Sequence, residues 1–190
     1  MVEFYTIENF LSEDEAKFIL DFTLNNFDLE IAPVGNGIGR TVDTNYRKSS
    51  IKFIDYSKEF PFIIERLKQK INPLFKINRA DFDFEKELQF TEYKKNEFYT
   101  WHRDSNAEDF MLSKRVLSVV ILLNNTYTGG DLEILDINGI KNIFPKKIGN
   151  AFIFPSYLEH RVTTITEGNR YSLVGWFSIK KKNTNENTLI

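Results

Sequence analysis

His102 and Asp104 stand two residues apart, and a second histidine, His160, lies further along the chain. These are the only two histidines, and there is no cysteine. On an extended segment, residues two apart share a face, so His102 and Asp104 can converge on one point. If His160 reaches that point from another strand, two imidazole nitrogens and one carboxylate oxygen can hold a cation and leave positions open. Non-haem Fe(II) uses this donor set, and zinc with water is a second occupant it suits. Each histidine taken alone better suits a structural, hydrogen-bonded role. Arg170 lies ten positions after His160, and Ser172 two beyond Arg170. A guanidinium beside a hydroxyl suits a carboxylate. An iron site with open positions and a buried cation for a second carboxylate describe a pocket for 2-oxoglutarate. Its keto-acid end would meet the metal and its far end Arg170. A plain ion pair is the alternative for Arg170.

Composition narrows the classes. The chain has 190 residues, 42% hydrophobic and 27% charged, with a net charge of −2. That is one globular domain, not a disordered chain. The absence of cysteine excludes disulfide scaffolds, thiolate metal sites and cysteine nucleophiles. The charge argues against a phosphate-neutralising surface, so no nucleic-acid partner is expected. Glu3 and Glu8 interrupt the first ten residues, so no secretory leader is expected. No apolar run suits a membrane span; the best, Val116 to Leu123, suits a buried strand. A soluble, cytoplasmic protein without membrane association is the expectation.

The elements that must position these side chains divide in two. Ser12-Glu13-Asp14-Glu15 is a capping box, and Ala16, Ile19, Leu20, Leu24 and Phe27 follow a helical face. A second helix is predicted over about 57–72, with Pro61 near its first turn and Pro73 helping to stop it. Ala32 to Ser50, with Gly35, Gly37 and Gly39, reads as a long loop leading into a strand at Ser50–Ile54. From Glu87 the pattern changes to short strands: Leu88–Tyr93, Tyr99–His102, Val116–Asn124, Leu132–Ile137, Lys141–Phe144, Ala151–Phe154, Arg161–Thr166 and Tyr171–Ile179. Asn138-Gly139 signals a two-residue hairpin. The count suits a jelly roll. The expected organisation is a single domain, 1–182, with helical support over 1–86, a β core over 87–180 and a flexible tail over 183–190.

Several segments together resemble the Fe(II)/2-oxoglutarate-dependent dioxygenases, in their prolyl 4-hydroxylase-like branch. Tyr93 to Asp104 is similar to that branch's Tyr-x-x-Gly-x-x-Tyr-x-x-His-x-Asp motif, with Asn96 where Gly is usual. Asn tolerates a left-handed backbone better than most residues. Leu122-Leu123-Asn124 followed by Gly129-Gly130-Asp131-Leu132 resembles the family's strand and hairpin. Gly149 to Pro155, His160-Arg161-Val162 and Gly168 to Ser172 resemble its C-terminal signature. Asn9 to Ser12 and Arg47-Lys48-Ser49 also look familial.

The resemblance implies a mainly β protein, a double-stranded β-helix (jelly-roll) core backed by N-terminal helices. It implies Fe(II) on His102, Asp104 and His160, with 2-oxoglutarate and O2 consumed and ascorbate as a possible reductant. It implies that Tyr93, Arg170 and Ser172 bind the cosubstrate; Leu122 and Val174 stand where relatives carry Tyr or Thr at other cosubstrate contacts. Asp104 implies hydroxylation, because related halogenases lack that carboxylate. Tyr46 and Arg47, the Ala32–Ser50 loop and Ser105 to Arg115 are the candidates to cover the mouth and touch substrate. A peptidyl proline is the first expected substrate. A free amino acid or other small molecule is the second, and a non-catalytic metal-binding jelly roll the third. A nucleobase dealkylase is disfavoured, because no second arginine follows Arg170. The oligomeric state is not legible.

Overall fold

The computed structural model of the chain describes residues 4–35, 40–75, 82–85, 87–105 and 115–179. The expected tail over 183–190, Gly37, Gly39 and most of the Ser105–Arg115 segment lie outside these residues.

Strand β1 (Tyr5–Ile7) opens the chain and helix α1 (Glu13–Asn26) follows. Ser12 Oγ accepts from the Glu15 amide while Glu15 accepts from the Ser12 amide, so the capping box is formed. Strands β2 (Glu30–Ile31), β3 (Val34–Gly35), β4 (Arg40–Thr41), β5 (Arg47–Lys48) and β6 (Ser50–Asp55) come next. The segment expected as a loop thus carries three short strands. Helices α2 (Tyr56–Glu59) and α3 (Pro61–Phe75) stand where one helix was expected. The break falls at Phe60, whose φ of −138° and ψ of 64° are not helical. A residue before proline is pushed out of the helical region, so Pro61 starts a new helix instead of lying inside one. Pro73 does not stop α3, which runs to Phe75. Its fixed φ is compatible with a helix, and near the end only one hydrogen bond is forfeited.

The remaining strands are β7 (Phe82–Phe84), β8 (Glu87–Tyr93), β9 (Phe98–His102), β10 (Arg115–Leu122), β11 (Thr128–Gly129), β12 (Leu132–Leu135), β13 (Lys141–Ile143), β14 (Ala151–Pro155), β15 (His160–Val162), β16 (Ile165–Glu167) and β17 (Arg170–Ile179). The run expected as one strand over Arg161–Thr166 is two, because β15 pairs with β12 and β9 whereas β16 pairs with β11. The β12–β13 connection spans 136–140 rather than two residues. Asp136 Oδ1 accepts from the amides of Asn138 and Ile140 and so shapes the turn from its first residue.

Among the described residues the strands form an eight-stranded sheet, ordered β1-β14-β10-β17-β8-β6-β2 with β7 also on β17, and a five-stranded sheet, β13-β12-β15-β9-β5. The N-terminal part is therefore more than helical support: β1, β2 and β6 extend the large sheet and β5 extends the small one. Alternation along β10 explains the layers. Val119 and Ile121 face Ile19 of α1 and Ile63 and Leu67 of α3. Val120 and Leu122 face the other way and meet Leu132 and Ile134 of the small sheet, with Phe152 and Phe154 beside them. This is the jelly-roll arrangement, with the small sheet packed on the inner face of the large one.

Gly149 fixes how the N-terminal segment docks. Its φ is +76°, and a Cβ there would lie 2.0 Å from the Leu11 carbonyl oxygen. The Leu11 amide donates to the Gly149 carbonyl at 2.9 Å, and the Asn9 amide to Asn150 Oδ1 at 3.0 Å. Gly149→Ala is expected to destabilise the fold by about 2–3 kcal/mol, because left-handed strain and a backbone clash act together. A urea midpoint that does not move would contradict this.

Candidate active site

Between the sheets lies a cavity of about 350 Å³, lined by His102, Asp104, His160, Tyr93, Arg170 and Ser172 together with Tyr46 and Arg47. All eight site residues expected from sequence therefore share one cavity.

The two histidines face each other across adjacent strands. His160 in β15 is the register partner of His102 in β9, and their ring centroids are 4.1 Å apart. Each ring is oriented by a carbonyl two residues earlier in the chain: His102 Nδ1 lies 2.8 Å from Thr100 O, and His160 Nδ1 2.9 Å from Leu158 O. A carbonyl can only accept, so Nδ1 carries the proton in each ring and Nε2 keeps its lone pair for a cation. Tyr99 stacks on His102 with centroids 3.5 Å apart, and Phe154 packs edge-on against His160 at 4.8 Å.

Asp104 reaches the same point by a route the spacing does not reveal. It lies beyond the end of β9, where the amides of Asp104 and Ser105 both donate to the Ser156 carbonyl, at 2.9 and 3.1 Å. Its Oδ2 accepts from Ser118 Oγ at 2.6 Å and from Trp176 Nε1 at 2.9 Å. Ser118 in turn lies 2.9 Å from Ser156 Oγ. Asp104 Oδ1 is 3.9 Å from His102 Nε2, and Oδ2 is 3.7 Å from His160 Nε2. Ligand atoms of the three residues all lie within 4.8 Å of one another. Ser118, Ser156 and Trp176 were missed in the sequence. A lone serine inside the apolar run Val116–Leu123 was the one available signal.

Electrostatics suit a cation. Burial, with the His160 charge next, pushes His102 down to about 3, so its imidazole is neutral near pH 7. Burial pushes the Asp104 carboxyl up, but His160, His102 and the hydrogen bonds from Ser118 and Trp176 outweigh it and hold the group below its usual range. Neutral imidazoles and an ionised carboxylate are the protonation states that bind metal.

Arg170 also lines the cavity; it opens β17 and is 1% exposed. Tyr93 of β8 is its register partner, with the guanidinium 5.6 Å from the ring centroid. Nη1 donates to Ser172 Oγ at 2.9 Å, whereas the buried Nε has no partner. A buried guanidinium that lines a cavity and has no carboxylate partner among the described residues is suited to an acidic ligand. Gly130 makes room for it, since a Cβ there would come 3.2 Å from Arg170 Cδ. Val174 lines the cavity, while Leu122 joins the apolar cluster between the sheets. Asn96 has a φ of +66°, so it takes the left-handed turn that glycine serves in the motif.

Comparison with known proteins gives the same direction. Residues 88–178 match the family model of the 2OG-Fe(II) oxygenase superfamily. A PKHD-type hydroxylase of a Psychrobacter species is 36% identical over 93 residues, covering 46% of this chain and 36% of that protein. A PKHD-type hydroxylase of Acaryochloris marina is 35% identical over 117 residues, covering 59% of this chain and 51% of the relative. The chain thus spans about half or less of these relatives' length. A Pseudomonas putida prolyl-4-hydroxylase superposes with a TM-score of 0.69 at 21% identity, covering 94% of both chains. Residues 88–178 are thus similar to the 2OG-Fe(II) oxygenase superfamily, and the fold is the double-stranded β-helix it shares with that prolyl-4-hydroxylase. The three-residue donor set suits Fe(II), and the buried Arg170 suits the far carboxylate of 2-oxoglutarate.

Proposed function

We propose that the protein is an Fe(II)- and 2-oxoglutarate-dependent oxygenase that hydroxylates an aliphatic C–H bond, with a peptidyl proline as first substrate. The observation that carries this is the His102–Asp104–His160 cluster sharing one cavity with the unsatisfied, buried Arg170. A Trichoplax adhaerens prolyl hydroxylase bound to a hypoxia inducible factor peptide fragment shares the fold at a TM-score of 0.70 and 17% identity, which supports a peptide reading. A free amino acid is the second substrate reading.

His102 Nε2, His160 Nε2 and an Asp104 oxygen would hold the metal. Bound there with 2-oxoglutarate, Fe(II) supplies the O2-dependent conversion of C–H to C–OH, with succinate and CO2 released. Arg170 neutralises the far carboxylate of the cosubstrate, Ser172 fixes the guanidinium plane, and Tyr93 adds a hydroxyl donor. Tyr46 and Arg47 stand at the substrate side. Tyr46 donates to the Trp101 carbonyl at 3.0 Å, which holds its ring beside Tyr99.

Trp176→Phe keeps the ring and removes the indole N–H that steadies Asp104. It is expected to weaken Fe(II) binding about 10- to 100-fold, as is usual when a ligand loses its orienting partner. An unchanged dissociation constant by calorimetry would show that the bond does not matter. The function itself is tested by incubating the holoprotein with proline-containing peptides and free amino acids and seeking an oxygen-added product by mass spectrometry. A product that depends on Fe(II) and 2-oxoglutarate is expected. Absence of any such product and of succinate formation would overturn the proposal.

A further inference from the structure

Four arginines line the cavity, and among the described lining residues Asp104 is the only carboxylate. Two of the four have a counter-charge among the described residues, and a third is assigned one by the proposed function. Arg115 meets Glu85 at 3.0 and 3.2 Å, and Arg103 lies 3.9 Å from Glu159. Arg170 takes the cosubstrate carboxylate in the reading above. Arg47 differs. It is 6% exposed, and no carboxylate among the described residues pairs with it. Its Nε donates to Ser49 Oγ at 2.8 Å, and its guanidinium sits 4.6 Å from the Tyr99 ring centroid.

These contacts orient the group without neutralising it. Burying a charge without a counter-ion costs several kcal/mol. A cation–π contact and a bond to a neutral hydroxyl return only part of that cost. The planar fork is held by the Tyr99 face and by Ser49, while no hydrogen bond among the described residues engages its terminal nitrogens. Position matters too: Arg47 lies over one face of the Tyr99 ring and His102 stacks on that ring at 3.5 Å. An anion on Arg47 is therefore one aromatic ring removed from a metal ligand, close enough to belong to the molecule being oxidised.

We propose that Arg47 binds a carboxylate of the substrate and makes the enzyme selective for acidic over neutral molecules of the same shape. The inference rests on the oxygenase reading. A carboxylate has two sources: the α-carboxylate of an amino acid, or an acidic side chain next to the reacting residue of a peptide.

The test is calorimetry on protein loaded with Fe(II) and 2-oxoglutarate without oxygen. The probes are N-acetyl-proline against its amide, and acetyl-Glu-Pro-Gly-amide against acetyl-Gln-Pro-Gly-amide. One acidic probe is expected to bind at least about tenfold tighter than its neutral partner, the size of one charge-assisted contact. The pair that discriminates identifies the source. Arg47→Gln is expected to abolish the preference and Arg47→Lys to keep part of it, both with unchanged 2-oxoglutarate affinity. Equal affinities within both pairs, no binding by any probe, or a preference that survives Arg47→Gln would overturn the inference alone. The acid–amide comparison in the unaltered protein needs no variant to fold. Failure to bind 2-oxoglutarate at all would overturn the oxygenase reading and the inference with it.

Discussion

His160→Ala is expected to abolish Fe(II) binding at working concentrations and, with it, all succinate formation. The side chain supplies one of three donors, and no third histidine exists in the chain to replace it. Loss of a mere orienting partner costs about 10- to 100-fold in affinity, so loss of a ligand exceeds the upper end of that range. The fold should survive. His160 is 5% exposed and packs on Phe154, so truncation leaves a small cavity next to one already present, costing about 1–2 kcal/mol. His102→Ala and Asp104→Ala should behave alike, although Asp104→Ala also strands the Trp176 indole N–H and leaves the Ser118 hydroxyl only Ser156 as partner. Metal content after dialysis and succinate release are the readouts. Retained turnover in any one of the three variants would remove that residue from the metal site.

Arg170→Ala is expected to leave Fe(II) binding intact and weaken 2-oxoglutarate by about 2–3 kcal/mol, roughly 30- to 150-fold in Kd. The magnitude follows from breaking a buried, charge-assisted contact at a residue 1% exposed. The effect should appear in KM for 2-oxoglutarate more than in kcat, because the contact lies at the end of the cosubstrate away from the reacting carbon. Ser172 would be left without the Nη1 donor it now accepts from at 2.9 Å, a smaller loss. Equal 2-oxoglutarate affinity in the variant and the unaltered protein would refute this role. A variant that lost metal as well would show that Arg170 supports the whole cavity.

The first expectation was legible in the sequence because it depends on residue types that composition made scarce, the second because of a motif. With two histidines and no cysteine, any metal site had few forms open to it. The C-terminal block carried Arg170 and Ser172 at a strand spacing, and β17 keeps both on the cavity face. The support around Asp104 was not legible. Its position depends on two amides held by the Ser156 carbonyl, and on Ser118 and Trp176 arriving from β10 and β17. Such contacts join residues far apart in sequence, and no local period marks them. The same reason explains the strands within 32–50. The two-residue strand β5 has no pattern of its own, and Arg47 and Lys48 are extended because β9 offers Tyr99 and Phe98 as partners. The helix break at Phe60 was missed for a different cause: the apolar spacing ran on through it, while the rule for the residue before proline acted on a single φ/ψ pair.

The central claim is that one cavity holds Fe(II) and 2-oxoglutarate together. Its most direct test is an anaerobic titration of the metal-free protein with Fe(II) and then 2-oxoglutarate, followed by visible absorption. The account predicts a charge-transfer band that appears only when both are present, saturates at one equivalent of each per chain, and disappears in His160→Ala. No band at saturating 2-oxoglutarate, or a band of equal strength in His160→Ala, would contradict it.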